Sequence, residues 1–280
     1  MTDTIRSMEQ SLYKMPIVVR ARGYRLYDLY GKRYIDLYQN NGRAILGHRS
    51  EGLLRSMKAV ASRGLVSEYP SVYDGRLEKI LKLLFPEYPV FRIYRNRERA
   101  LFALGSALNL LISPDGITDP AMNDAASDVR VSYWRPFLPE MTRFPEVLLP
   151  IFPFPGSFAP EVVCLRDRST AAMMPPSDMV SPFLLDTLIK TVTKMIKVSR
   201  GSGRKSSEFQ RLMDVFEWKR RGPYINTGLD SVAYSELCKK ALSEGVLLPP
   251  GEHLPMIMPR EFSDGELEGF THFVRQMTGD

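Results

Sequence analysis

Residues 17–38 read Ile17-Val18-Val19-Arg20-Ala21-Arg22-Gly23-Tyr24-Arg25-Leu26-Tyr27-Asp28-Leu29-Tyr30-Gly31-Lys32-Arg33-Tyr34-Ile35-Asp36-Leu37-Tyr38. Tyr24, Leu26 and Asp28 fall at period two, and Tyr34, Asp36 and Tyr38 repeat that spacing. Such alternation sends successive side chains to opposite faces of a strand. Leu29-Tyr30-Gly31-Lys32 sets a glycine between two β-favouring runs, so the stretch is predicted as a small antiparallel meander turning at Gly31. Beyond it, Leu53, Leu54, Met57, Val60 and Ala61 recur at three and four, which predicts a helix over 49–63 with Gly64 past its end. A second helix is predicted from Asp74, as N-cap, with Leu77, Ile80, Leu81, Leu84 and Phe85 as its buried stripe before Pro86. Residues 90–94 favour a strand and 97–111 a helix, the opening of a βα unit.

The remainder is less regular. Residues 112–128 are rich in Pro, Gly, Asp and Asn and read as loop. Residues 147–152 and 162–165 are β-like, and the prolines between them make these strands short or place them near an edge. A helix follows over 183–198, with Leu184, Leu188, Ile189, Val192 and Ile196 on one face. Residues 199–207 (SRGSGRKSS) have the composition of a flexible basic linker. The chain closes with a helix near 231–244 ended by Gly245, a β-like run at 246–248, and a helix near 263–277 whose Ser263 and Glu266 have capping-box spacing.

With 280 residues, 44% hydrophobic and 25% charged, the chain is neither disordered nor fibrous, and it can bury one large or two ordinary cores. The longest nearly unbroken apolar run, 100–112, is shorter than the roughly 20 residues a membrane span needs. Cys164 and Cys238 have no metal-type spacing and fit a reduced cytoplasmic setting; Cys164, within Val162-Val163-Cys164-Leu165, reads as a small buried hydrophobe. His48, His253 and His272 are too dispersed for a metal site or a catalytic triad. The net charge of +6 is weak evidence for nucleic acid, since the basic linker lacks interleaved aromatics.

Residues 23–36, with Gly42 and the triplet Leu46-Gly47-His48, resemble the N-terminal meander of class III pyridoxal-phosphate aminotransferases, the family that includes glutamate-1-semialdehyde aminomutase. The run from Tyr234-Ser235-Glu236-Leu237 to Gly245-Val246-Leu247-Leu248-Pro249-Pro250 resembles that family's C-terminal helix and strand. The resemblance implies an α/β protein of PLP fold type I, with a truncated, mostly parallel large-domain sheet and an α+β small domain built from both chain ends. The domains would be 1–70 and 223–280 for the small domain and 71–222 for the large one. A homodimer is implied as well.

The same resemblance frames the chemistry. The family holds its cofactor phosphate in a Ser-Gly-Thr-Glu-Ala loop at a helix N-terminus, where glycine lets the backbone approach the anion. The corresponding residues here are Asn96, Arg97, Glu98, Arg99 and Ala100: no glycine is present, and the glutamate repels phosphate, while Arg97 and Arg99 offer another geometry for an anion. An aromatic ring stacks on the pyridoxal in the family, for which Tyr133 and Trp134 are the candidates; two rings packed under Pro136 is the alternative. The Schiff-base lysine and the aspartate that pairs with the pyridine nitrogen should follow the helix at 183–198. In that stretch Asp214-Val215-Phe216 is a faint echo of the aspartate strand, and Lys219, beside Trp218, is the only nearby lysine with an aromatic neighbour; neither has the family's surrounding pattern. No catalytic residue is identifiable beyond the candidate Lys219.

The expected function is thus a class III aminotransferase-like protein, degenerate and with little or no transaminase activity. Its cofactor is none, or pyridoxal 5′-phosphate if the site is retained. Two alternatives stand beside it. One is a divergent active aminotransferase or aminomutase using Lys219 or one of Lys190, Lys194 and Lys197. The other is a dimeric partner-binding protein using the proline- and aromatic-rich stretch 134–160. The expected setting is cytoplasmic, with no membrane contact and no nucleic-acid partner.

Overall fold

The computed structural model describes residues 15–48, 52–113, 116–123, 129–139, 143–199 and 218–277. These fall into two compact units. One draws on Met1–Ser50, Phe137–Pro139 and Ser202–Asp280, the other on Glu51–Pro136 and Glu140–Gly201.

In the first unit the meander forms as its alternation predicts. β1 (Val18–Arg22), β2 (Arg25–Asp28) and β3 (Arg33–Asp36) pair antiparallel in that order. Tyr24, Leu26 and Asp28 are all buried, so the period-two set faces inward. The buried Asp28 carboxylate accepts hydrogen bonds from the amides of Tyr30 (2.9 Å) and Lys32 (2.8 Å) and from the Tyr34 hydroxyl (3.0 Å). Burial alone would raise its pKa, but these donors and the Lys32 charge hold it below the ordinary carboxylate range. The acid is therefore the brace of the turn at Gly31, whose φ is 80°. Next along the chain, Asp36 accepts from the amides of Tyr38 and Gln39 and lies 2.6 Å from His48 Nε2. Gly47 completes this tie, since a Cβ there would come within 3.3 Å of the Gly23 backbone and φ is 85°.

Both chain ends share one sheet. After β8 (Lys219–Arg221), β9 (Tyr224–Asn226) and α6 (Ser231–Ser243), β10 (Val246–Leu247) lies parallel to β3, with Ile35 opposite Val246 and Asp36 opposite Leu247. β11 (Met256–Ile257), β9 and β8 form a smaller antiparallel sheet. Tyr34, Ile35 and Leu37 pack in one core with Leu237, Cys238, Val246, Leu247, Phe270 and Val274. Burial pushes the Cys238 thiol up to about 12, as befits a core residue.

The last helix starts later than its capping signal predicts. Ser263 leads into a 3₁₀ turn, Asp264–Glu266, and α7 runs Glu268–Met277. Glu266 does accept from the Ser263 amide (2.8 Å), yet it also takes both ends of the Arg25 guanidinium at 2.6 Å each. Burial works to raise the Glu266 pKa, but the Arg25 and Ser263 hydrogen bonds outweigh it and depress the group from 4.5 to about 2. A depressed carboxylate contributes stability above its unfolded pKa, and that contribution fades as pH falls from near 4.5 through about 2. Glu266→Gln is expected to cost about 2 kcal/mol at neutral pH, typical of a hydrogen bond to a charged group. The gap from wild type should close on acidification, and a pH-independent gap in urea midpoints would contradict the assignment.

The second unit begins with α1 (Leu53–Ala61), α2 (Val72–Leu84), β4 (Val90–Tyr94) and α3 (Arg97–Leu108). α2 starts one turn before the predicted position. Ser71 is its N-cap and Asp74 sits at N3, accepting from the Ser71 amide, so the carboxylate completes a capping box instead of opening the helix. β5 (Val131–Trp134), β6 (Val147–Pro150), β7 (Glu161–Leu165), α4 (Arg168–Met173) and α5 (Pro182–Ser199) follow, and α5 packs on α1 and α2.

The sheet order is β4-β7-β6-β5, and it corrects the expectation of mostly parallel strands: β5–β6 is parallel, whereas β6–β7 and β4–β7 are antiparallel. A parallel return needs a crossover of about a dozen residues or more. Only ten residues, 151–160, separate β6 from β7, and four of them are prolines or glycine, so β7 comes straight back. β6 and β7 are short, as their prolines predict, but both are interior strands. Cys164 lies fully buried in β7, where burial drives its thiol well above the ordinary range.

Candidate functional site

Open α/β sheets bind ligands at the carboxyl ends of their strands, where a following helix points its first amides at the ligand. In the second unit that place is the junction of β4 and α3. Asn96 is the N-cap of α3, and its side-chain oxygen accepts from the Arg99 amide at 2.9 Å. One first-turn donor is thus already satisfied by the chain itself. Glu98 is exposed in that same turn.

The two arginines turn to different partners. Arg97 Nη2 lies 3.3 Å from Glu161 Oε1, and its guanidinium sits 5.0 Å from the centre of the Tyr133 ring. Arg99 Nε lies 3.5 Å from Asp178, which also accepts from the Arg95 amide. Glu161 reaches Arg97 because the antiparallel register of β4 and β7 sets it opposite Tyr94, the last residue of β4. Burial pushes the Tyr133 hydroxyl upward more than the Arg97 charge lowers it, so the ring stays neutral.

Tyr133 and Trp134 point to opposite faces of β5, as neighbours on a strand must. Tyr133 joins Arg97 and Glu161. Trp134 packs edge-on against Phe85 at 5.1 Å and beside Phe152 at 6.0 Å. Just beyond β5, Arg135 is 1% exposed and grips Asp119 with Nε at 2.8 Å and Nη2 at 2.5 Å. Of the stretch 134–160, Ile151, Phe152 and Phe154 are buried and Phe158 is exposed.

Lys219 lies in the first unit, exposed on β8. Asp214, Val215 and Phe216 lie outside the described residues, as does the predicted linker of 199–207 apart from Ser199, which ends α5. Sequence reasoning did not find Glu161, Arg135, Asp119 or Asp178. Glu161 carried a signal nonetheless: an acid opening the otherwise apolar Glu161-Val162-Val163-Cys164-Leu165 must find a cation if that strand is buried. Among the described residues no cluster of His, Cys, Asp and Glu could hold a metal ion, and no helix is long and apolar enough to cross a membrane.

No protein-family model matches the chain. It is 27% identical over 259 residues to an uncharacterized protein of Borreliella burgdorferi, covering 91% of this chain and 89% of that one. An uncharacterized protein of Treponema pallidum is 27% identical over 289 residues, covering 86% and 88%. A stretch of 91 residues is 31% identical to glutamate-1-semialdehyde 2,1-aminomutase 2 of Bacillus thuringiensis, covering 32% of this chain and 20% of the aminomutase. Among solved structures, ornithine δ-aminotransferase of Plasmodium falciparum superposes with a TM-score of 0.71 at 13% identity, covering 99% of this chain and 97% of that one. Acetylornithine aminotransferase of Elizabethkingia anophelis gives 0.60 at 14% identity, covering 99% and 98%. The chain therefore has the fold of the class III pyridoxal-phosphate aminotransferases, in a shortened form of 280 residues.

Proposed function

We propose that this is an aminotransferase-fold protein with little or no transaminase activity, one that does not hold pyridoxal phosphate as a Schiff base. One observation carries the reading: no lysine occurs between Lys82 and Lys190. That span contains every strand of the second unit's sheet and every loop joining them. Covalent capture of the cofactor requires a lysine amine at the site, and neither the strands of this sheet nor the loops joining them supply one. The lysines elsewhere in the described part of that unit, Lys58, Lys79, Lys82, Lys190 and Lys197, are exposed, and Lys194 is half-buried.

The junction at 96–99 fits the cofactor no better. Asn96 already takes the Arg99 amide, Arg97 and Arg99 face carboxylates, and Glu98 adds negative charge where a phosphate would approach. The residues present do not fit the group.

Purified full-length protein mixed with pyridoxal phosphate is expected to show the spectrum of the free aldehyde, unchanged on adding an amino donor. Borohydride reduction followed by peptide mapping should then find no labelled lysine. A band beyond about 400 nm that shifts with an amino donor, together with one labelled peptide, would establish covalent cofactor chemistry and overturn this reading.

A further inference from the structure

The strand ends of the second unit already hold a cation, supplied by the chain itself. Glu161 has a side-chain exposure of 3%, and Tyr133 is buried beside it. A carboxylate and an aromatic face converging on one point make a seat for a positive group, by charge on one side and by the ring quadrupole on the other. Arg97 fills that seat from the first turn of α3.

It fills it loosely. The ion pair measures 3.3 Å and the contact from Nη1 to the Tyr133 hydroxyl 3.5 Å, both longer than the 2.7–2.9 Å of a well-made charged hydrogen bond. Arg97 Nε is buried with no hydrogen-bond partner among the described residues, while the side chain as a whole is 29% exposed. A guanidinium tethered to a helix turn cannot centre itself as a free one can. The seat is better made than its occupant's fit.

We infer that Tyr133 and Glu161 form a binding box for a small organic cation, a guanidinium or alkylammonium group, which Arg97 occupies in cis. The inference rests on the reading that this place does not take pyridoxal phosphate, and it goes further by reversing the sign of the ligand. A buried carboxylate repels a phosphate and attracts a cation, so the box selects by charge before shape. The Arg135–Asp119 pair lies on the same strand-end region, just beyond Tyr133, and its own charges are matched.

The test uses the full chain with Arg97→Ala and methylguanidinium as the probe, read by thermal unfolding. Arg97→Ala is expected to melt several degrees below wild type, because the guanidinium between Glu161 and Tyr133 is lost. Methylguanidinium at about 1–10 mM, far below denaturing concentrations, should raise that melting temperature by a few degrees along a saturating curve. Wild type should not respond, since Arg97 already fills the box. The double variant Arg97→Ala/Glu161→Gln should not respond either, which separates the box from a general salt effect.

Inorganic phosphate should leave Arg97→Ala unchanged. Stabilisation by phosphate, no response to methylguanidinium, or an equal response in the double variant would each overturn the proposal. If Arg97→Ala does not fold, Arg97→Gln keeps the stem and serves in its place. A pyridoxal band in wild type would remove the reading on which this rests, whereas the box itself is decided by the methylguanidinium series alone.

Discussion

Asp119→Ala is expected to destabilise the second unit by about 3–5 kcal/mol, the range for breaking a buried ion pair from one side. The size follows from what is left behind. Arg135 has 1% of its side chain exposed, so its guanidinium cannot reach water when the carboxylate is removed. Asp119 now meets it through Nε and Nη2 and also accepts from the Ala121 amide at 3.0 Å, so the substitution loosens the loop before β5 as well. Asp119→Asn keeps the shape and loses the charge, and should fall between wild type and alanine.

Asp178→Ala is the control. Its partner Arg99 is 42% exposed, so the loss should stay near 1 kcal/mol or below. The chain has two tryptophans, and Trp134 lies in the second unit. In a Trp218→Phe background, urea unfolding followed by Trp134 fluorescence therefore reports on that unit. A midpoint for Asp119→Ala within error of the Asp178→Ala value would show that the buried pair does not hold the loop.

The meander was legible because alternation and turn chemistry agree within one short stretch, and Tyr24, Leu26 and Asp28 did go to one face. The second unit's sheet was harder to read. β4, β6 and β7 fall on the predicted β-like runs, although burial on both faces leaves β6 and β7 without alternation. β5, four residues of mixed character after a long polar loop, carries no strand signal. Strand direction departs from the mostly parallel sheet that the resemblance implies, because the short connection 151–160 brings β7 straight back antiparallel.

The site divides in the same way. Asn96 to Arg99 could be located from sequence because a strand-to-helix junction is local. The partners of Arg97 could not, because Glu161 lies 64 residues away and reaches it only through the β4–β7 register. Tyr133 and Trp134 were paired by sequence proximity, yet a strand necessarily separates neighbours. What a local pattern encodes was readable; what a register encodes was not.

Register also links the two chain ends, and this gives the other large effect. Phe270→Ala is expected to cost about 3–5 kcal/mol, the range for deleting a fully buried aromatic ring. Its consequence should appear far away in sequence. Phe270 is 0% exposed on α7 and belongs to the same core as Tyr34, Ile35 and Leu37 of the meander and Val246 and Leu247 of β10. The meander has strands of five, four and four residues, and an isolated sheet of that size is marginal in water.

It gains its fourth strand from β10, which offers only two residues of pairing, so packing by α6 and α7 must supply the rest. Amide exchange at Tyr34, Ile35 and Leu37 should therefore accelerate in Phe270→Ala by as much as the global loss allows. Trp218 fluorescence, read in a Trp134→Phe background, should show the first unit unfolding at lower urea. If the meander folded on its own, exchange at those three residues would stay at the wild-type rate while the C-terminal helix frayed. The core predicts that they go together, because no apolar face of the meander is covered by the meander alone.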